Sequence, residues 1–311
     1  MKQLHQPTNQ LDEVIYKKNK SFFAKLIFIL PTTFILGIFL SFPIDETINS
    51  YLEKTLKTQS SCPINYEKLE LTYFLPGIKL LKPHLGPRCF GQYQGSGLRF
   101  SQIKISFTGV SFYPLWGLKF RIDSEARDQH LSATLSTNYF THQLSIIENT
   151  FTGEFISPAI GAPNLLKGTF NLNANIVLKN NQPYELDLHL KSKNFALTEQ
   201  NLLGLQIPTT NIGAVSLKLS LREGDPQLFI PSLILGDQEA PIGAQLKGKM
   251  KLNYESLKFS PLDLNGEIRF SARFLEIFPI LNLFLSGKVP QNGQYPIKIG
   301  GTLGSPAPKV L

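Results

Sequence analysis

The feature that most constrains the fold is an alternation of apolar and polar residues with a period of two from residue 64 onward. Successive side chains of a strand point to opposite faces, so such runs predict strands with one apolar face. The clearest run is 169–178, in which every second residue is apolar: Phe170, Leu172, Ala174, Ile176 and Leu178. Strands of this kind predict an antiparallel sheet whose apolar face must be covered by a second sheet, a helix or a ligand.

Turn residues separate these runs at short intervals, which predicts hairpins. Residues 180–183 connect the first run to 184–191, and residues 223–226 connect 214–222 to 227–235. Further strands are predicted at 103–107, 131–135, 244–254, 262–273 (divided into shorter strands at Asn265-Gly266) and 295–303. Residues 274–285 are too few to span a membrane and too apolar for a free loop, which predicts a helix or lid packed on the sheet.

Composition supports a folded chain and gives no nucleic-acid signature. The 311 residues are 42% hydrophobic and 17% charged, enough to bury a sizeable core. The net charge is +8, of which residues 1–25 carry +3, and the remainder is spread along the chain without a basic stripe. We therefore expect no nucleic-acid partner.

An apolar run near the N-terminus predicts a membrane anchor: residues 26–42 carry no charge, and the run extended back to Phe22 adds only Lys25, near its edge. Residues 22–42 are long enough, at ~1.5 Å per residue, to cross a ~30 Å hydrocarbon layer. A buried core helix would need more polar face, and a cleaved signal peptide would need a small-x-small site that residues 39–43 lack. The residues that set the orientation lie before the uncharged stretch 26–42: Lys17, Lys18, Lys20 and Lys25. Since Asp45 and Glu46 follow it, the N-terminus is predicted to be cytoplasmic and the body of the chain exported.

These signals divide the chain into four predicted parts. Residues 1–21 form a cytoplasmic tail, 22–42 a transmembrane helix, 43–60 a short amphipathic connecting helix, and 61–311 an exported all-β domain. The connecting helix is predicted because apolar residues recur four apart: Ile44, Ile48, Leu52 and Leu56.

The two cysteines, Cys62 and Cys89, form a natural disulfide pair in an oxidising compartment. Chain-entropy arithmetic for a loop of this size gives roughly 3–3.5 kcal/mol of stabilisation. Two free buried thiols are the alternative. A zinc site that also used His84 would need further ligands in register, which the sequence lacks.

Motifs for catalysis, cofactors and metals are missing from the sequence. No serine has glycines two residues to either side, as the hydrolase elbow requires. Residues 243–250 resemble a phosphate loop but lack its Ser/Thr and lie inside an alternating strand. The acids Asp123, Glu125 and Asp128 are close in sequence, but a solvated loop explains them better than general acid–base work. We expect no enzyme activity and no cofactor.

Five short motifs, in order along the exported part, carry a family resemblance: LTYFLPGIKL at 71–80, KGTFNLNA at 167–174, GDPQLFIPSL at 224–233, LNGEIRFS at 264–271 and YPIKIGGTLGSP at 295–306. With the anchor, they make the chain resemble the N component of bacterial type II secretion systems (GspN), which is related to AsmA-like inner-membrane proteins. The resemblance implies a single-pass inner-membrane protein with a periplasmic, curved, taco-like or open-barrel-like antiparallel sheet and few short helices. It implies no catalytic residues.

Two functions follow from this resemblance. The first is a non-catalytic accessory subunit of the secretion system, working through contacts with other subunits. The second is an AsmA-like module that binds or transfers lipid in an apolar groove. The residues predicted to line that groove are Leu186, Leu188, Leu190, Leu217, Leu219, Ile268 and Phe270. The burial of these side chains distinguishes the two functions. In a lipid groove they line a trough open to solvent, whereas in a purely structural domain they pack against a second sheet.

Overall fold

The computed structural model describes residues 29–31, 33, 44–58, 62–72, 76–90, 96–112, 116–160, 162, 164–180, 182–202, 205–223, 225–253 and 256–311. The predicted tail at 1–21, most of the predicted span at 22–42, and the orienting lysines Lys17, Lys18, Lys20 and Lys25 lie outside these residues. Residues 29–31 and 33 are helical. Among the described residues, no helix has both the length and the apolar character that a membrane crossing requires.

The chain divides into two compact units, Met1–Lys54 and Thr55–Leu311. The first long helix described, α1, is Ile44–Thr58, which falls within the connecting helix predicted at 43–60. Its last turn carries Lys57, a favourable place for a cation because the carbonyl end of a helix is partially negative.

The second unit is mainly β-strand. Its strands are β1 Ile64–Asn65, β2 Lys68–Thr72, β3 Gly77–Leu81, β4 His84–Leu85, β5 Leu98–Arg99, β6 Gln102–Ser111, β7 Gly117–Ala126, β8 Gln129–Thr137, β9 Thr141–Thr152, β10 Leu166–Lys167, β11 Thr169–Lys179, β12 Gln182–Leu197, β13 Gln200–Leu202, β14 Leu205–Ile207, β15 Thr210–Leu221, β16 Gln227–Leu235, β17 Ile242–Lys251, β18 Leu262–Phe270, β19 Tyr295–Thr302 and β20 Ser305–Val310. Short helices interrupt them: α2 Gly153–Ile156, α3 Ala272–Ile277, α4 Ile280–Leu285, and 3-10 turns at Pro87–Phe90, Ser157–Ile160 and Leu257–Phe259.

One 15-stranded sheet dominates this unit. Its order is β2-β3-β6-β7-β8-β9-β11-β12-β15-β16-β17-β18-β19-β20, with β10 beside β12, and the pairings are antiparallel. Two small sheets, β1-β4-β5 and β13-β14, accompany it. The prediction of a mainly β, antiparallel domain with few short helices is confirmed.

The sheet has two ends, named here from its hairpins. The entry end is where β2 begins at Lys68, next to Leu81 of β3. The distal end is where the β6–β7 and β8–β9 hairpins turn, after Ser111 and Thr137.

Two predictions about local structure were wrong. β18 runs unbroken through Asn265 and Gly266, where a turn between shorter strands was predicted. A Cβ on Gly266 would lie 1.9 Å from the Gln245 carbonyl oxygen, so this glycine permits close approach of β17 rather than a turn. The acids Asp123 and Glu125 lie in β7 and not in a loop, and only Asp128 lies in the following turn.

The predicted helix or lid at 274–285 is a pair of short helices, α3 and α4. Ser271 is the N-cap of α3, and its hydroxyl accepts a hydrogen bond from the Phe274 N–H. Phe274 is buried and stacks on Phe270 with ring centroids 6.0 Å apart, so the helix pair packs at the end of β18.

Cys62 and Cys89 are joined as a disulfide. The bond ties the segment before β1 to the 3-10 turn at Pro87–Phe90. The two cysteines are 27 residues apart in sequence, so the disulfide closes the loop that contains β1 to β4.

Candidate functional site

Cross-strand pairing aligns apolar side chains into long rows on one side of the main sheet. The first row crosses ten neighbouring strands, from β6 to β18: Phe107, Phe120, Leu135, Leu144, Ile176, Leu186, Leu221, Leu228, Met250 and Leu262. Neighbouring strands are ~4.8 Å apart, so this row is about 43 Å long. We call the side of the sheet that carries it the apolar face.

A second row lies beside the first on the same face. It runs from β2 to β15: Leu71, Ile78, Ile105, Ile122, Ala133, Ile146, Ala174, Leu188 and Leu219. Apart from Ala174, which is 7% exposed, each of these side chains is half-buried. The side chains of this row therefore shield one another on an open sheet surface. They are more accessible than side chains in a closed core.

The residues predicted to line a groove all lie on the apolar face and are all half-buried: Leu186, Leu188, Leu190, Leu217, Leu219, Ile268 and Phe270. Leu190 lies opposite Leu217, which extends this surface by a third row through Leu233 and Leu246. The period of two was sufficient to choose these residues, because one parity along each strand identifies one face.

The described part of the chain offers little to cover this face. The small sheets are built from strands of two or three residues, which are too short to cover rows of this length. The helices α2, α3 and α4 have four to six residues and lie at strand ends. At β15–β17 the apolar face is nevertheless buried, because Leu221, Leu228 and Met250 of the first row form a core cluster against which Leu186 and Leu219 pack. The half-buried parts of the rows, from β2 to β12, are left for another covering group.

Helical cover is found at the entry end, where α2 packs on the largest buried cluster. That cluster contains Phe151, Phe170, Phe195 and Ile212, with Phe155 and Ile156 of the α2 segment against it. The fully buried Ser157 fixes this segment, because its hydroxyl donates to the Gly153 carbonyl oxygen (2.8 Å) and accepts from the Leu166 N–H (2.9 Å). The entry end is thus a packed core.

The opposite face of the sheet is polar. Its centre carries an asparagine ladder on β11, where Asn173 pairs with His189 and Asn175 pairs with Asp187. Asn175 Oδ1 accepts hydrogen bonds from Gln143 Nε2 (2.9 Å) and Ser145 Oγ (3.1 Å). Polar side chains on this face satisfy one another, as the solvated side of a half-buried sheet requires.

His189 is a titratable group on this face with a shifted pKa. Its partial burial lowers the pKa, and the cations Lys191 and Lys218 lower it further, while Asp187 opposes them. The neutral imidazole is therefore favoured. The ring Nε2 lies 3.5 Å from Ser216 Oγ, at the limit of a hydrogen bond.

Metal and acid–base groups do not converge in the described residues. No three His, Cys, Asp or Glu side chains among them could hold a metal ion. Asp123 instead forms an ion pair with Arg121 (Nε–Oδ1 3.0 Å), as on a solvated sheet surface. The phosphate-loop-like residues 243–250 lie within β17.

A feature that the sequence analysis missed is a group of exposed aromatic residues at the distal end, which we call the distal aromatic cluster: Phe112, Trp116, Tyr139 and Phe140. The rings of Phe112 and Trp116 meet edge to face at 5.0 Å, and those of Tyr139 and Phe140 at 4.9 Å. The sequence feature that could have revealed this cluster is the presence of large aromatic residues in predicted turns, where polar residues are usual.

Comparison with known proteins identifies no relative: no family model matches the chain, and neither a curated protein nor a solved structure is significantly similar to it.

Proposed function

We propose that the chain is a membrane-anchored, non-catalytic module that binds lipid acyl chains on the apolar face of its sheet. The observation that supports this most is the pair of uninterrupted apolar rows, most of whose side chains are half-buried. Contiguous apolar surface that stays partly accessible usually marks a binding surface in a soluble domain.

An acyl chain suits this surface because it is flexible, apolar and long. Laid along the half-buried part of the first row, which runs from β6 to β12 over about 24 Å, it would contact leucine, isoleucine and phenylalanine side chains without needing a polar partner. Each methylene removed from water contributes ~0.8 kcal/mol, less the cost of ordering the chain. The rows run across the strands, so a lipid could contact several strands at once and shift along them.

The membrane assignment in this proposal comes from the sequence. We place residues 22–42 across the inner membrane with the N-terminus in the cytoplasm, and residues 61–311 in the periplasm as a curved, taco-like or open-barrel-like sheet. A disulfide between Cys62 and Cys89 supports an oxidising compartment. The bilayer itself and a bound lipid are the partners proposed.

An accessory role in a type II secretion system is the second candidate. The observation that favours it is the ordered set of GspN-like motifs, of which 167–174, 264–271 and 295–306 lie on β10–β11, β18 and β19–β20. In that role the protein would contact other secretion subunits. An AsmA-like lipid module within a secretion system would satisfy both candidates.

The lipid proposal is tested with two substitutions of adjacent residues on opposite faces, Leu188→Asp and His189→Asp. A carboxylate at 188 would place a charge against acyl chains, whereas one at 189 lies on the polar face. Each full-length protein is purified in mild detergent, and co-purifying phospholipid per protein is measured by native mass spectrometry.

We expect several-fold less phospholipid with Leu188→Asp and an unchanged amount with His189→Asp. Equal phospholipid in both variants, with both folded by circular dichroism, would overturn the lipid proposal. Capture of secretion subunits by both variants, with no phospholipid in either variant or the parent, would favour the accessory role.

A further inference from the structure

The distal aromatic cluster exposes four large rings that an isolated soluble domain would bury. Phe112 is 63% exposed, Trp116 72%, Tyr139 91% and Phe140 62%. They lie on two hairpin ends, one between β6 and β7 and the other between β8 and β9. Because β7 pairs with β8, the two hairpins turn at the same end of neighbouring strands.

The cluster is held in place by ordinary turn chemistry. The Asn138 side-chain oxygen accepts hydrogen bonds from the Phe140 N–H (2.9 Å) and the Thr141 N–H (2.7 Å). The Phe140 carbonyl oxygen accepts from the Asn180 N–H (2.8 Å), which joins this turn to the β11–β12 turn. The rings are thus presented from a defined backbone.

The two turns that carry the cluster contain no acidic residue. The stretches 108–120, 136–143 and 178–184, which contain these turns, hold no Asp or Glu and two cations, Lys119 and Lys179. Both lysines are exposed. Lys179 lies over the Tyr184 ring, whose hydroxyl donates a hydrogen bond to Glu223 (2.9 Å), so an acid lies near that cation. Lys119 is the cation that follows the Phe112–Trp116 turn itself. Exposed aromatic rings beside this lysine complement an anionic lipid headgroup layer, in which Trp and Tyr bury their apolar rings and keep their polar atoms in water.

The cluster also continues the apolar face. Val110 and Leu118 form a cross-strand pair next to it and are 52% and 47% exposed. Further along the same two strands, Phe107 and Phe120 meet edge to face at 5.8 Å and begin the longest apolar row. Apolar surface therefore extends without a break from the middle of the sheet to its distal end.

We propose that the distal aromatic cluster docks this end of the sheet on an anionic lipid bilayer, with its rings inserted at the headgroup boundary. The chain enters the sheet at the opposite end, where β2 begins, and β6 with its ten residues separates the two ends by ~33 Å. This docking does not depend on lipid binding by the apolar face.

Trp116 makes the test direct, because it is the chain's one tryptophan. The full-length protein in lipid nanodiscs is mixed with vesicles of phosphatidylethanolamine and phosphatidylglycerol, and Trp116 emission is recorded. We expect a blue shift and about twofold quenching when the vesicle acyl chains carry bromine, both reduced by salt. Bromine placed instead in the nanodisc lipids distinguishes docking on the same bilayer from docking on a second one.

Two double variants complete the design and keep Trp116 as reporter. Tyr139→Ser with Phe140→Ser should weaken vesicle binding by about tenfold or more. Leu283→Ser with Val289→Ser removes two exposed apolar side chains (76% and 81%) between β18 and β19, at the entry end, and should leave binding unchanged.

Trp116 emission that is quenched neither by bromine in the vesicle lipids nor by bromine in the nanodisc lipids would overturn the proposal. A shift that follows protein concentration and not lipid would also overturn it, and would indicate a second copy of the chain as the partner. Leu188→Asp should bind vesicles normally. The cluster variant should retain co-purified phospholipid, so this docking and the lipid-binding function can fail separately.

Discussion

Leu188 of β12 lies directly opposite Leu219 of β15. Both side chains are apolar, and both are only half-buried. On the next position of the same strands, His189 lies opposite Lys218 on the other face. This change of chemistry from one residue to the next is repeated across the sheet. It gives the sheet one apolar face and one polar face.

Truncations should separate the open apolar face from the true core. Leu188→Ala removes a half-buried side chain and should lower the free energy of unfolding by about 1 kcal/mol. Phe170→Ala empties a site that is 4% exposed, between Phe151 and Phe195, and should cost about 3–5 kcal/mol. Urea denaturation followed by circular dichroism measures both; equal losses would mean that the Leu188 row is as closed as the entry-end core.

Glycines in the sheet should differ by the space around them. Gly266→Ala would push a methyl group against the Gln245 carbonyl oxygen of β17, so we expect a loss of more than about 2 kcal/mol or a failure to fold. Gly300→Ala is the matched control, because a Cβ there meets nothing within 4 Å and should change stability little. Thermal melting compares the two variants, and a neutral Gly266→Ala would show that β17 and β18 can separate at this point.

The sequence predicted the strands well because their period of two repeats over long runs. β16 is Gln227–Leu235, the same residues as predicted, and β19 ends one residue before the prediction. Gly266 misled the prediction, since glycine signals a turn as readily as a close strand contact. Because Leu186 and Leu188 are two residues apart, the sequence was enough to place them on one face. The rows could not be predicted, because they depend on which residues of neighbouring strands pair.

The distal aromatic cluster was beyond sequence reasoning for a different physical reason. Phe112 and Tyr139 lie 27 residues apart, and nothing in their local patterns shows that both hairpins turn at one end. That placement follows from the β7–β8 pairing. The order of strands in a sheet is a property of the whole chain.

The pKa of His189 should reflect the positive charges that surround it on the polar face. Its pKa is lowered from the ordinary value of 6.5, first by burial and then by Lys191 and Lys218. The folded state therefore binds a proton less readily than the unfolded state, so stability is full above pH 6.5 and falls as the pH drops through the depressed pKa. NMR titration should place the His189 midpoint below 6.5, and Lys218→Met should raise it.

The pH dependence provides a control for this account. His189→Gln should flatten the fall in unfolding free energy below pH 6.5. An unchanged midpoint in Lys218→Met would contradict the role assigned to that cation.

Reduction of the disulfide should destabilise the segment from β1 to β4. Cys62 and Cys89 are 27 residues apart, and closing a loop of that size removes about 3.5 kcal/mol of denatured-state entropy at 25 °C. We expect dithiothreitol to lower the melting temperature of the parent protein and to leave the Cys62→Ala/Cys89→Ala double variant unaffected. Identical melting of the reduced and oxidised parent would show that the bond does not contribute to stability.

The most direct test of the central claim is photo-crosslinking along one strand. A benzophenone amino acid replaces each residue of β12 in turn from 186 to 191 in the full-length protein, and irradiated membranes are analysed for protein–lipid adducts. The lipid-binding account predicts adducts at 186, 188 and 190 and none at 187, 189 and 191, because these positions alternate between the apolar and polar faces. Adducts of equal yield at both parities, or adducts with proteins alone, would contradict it.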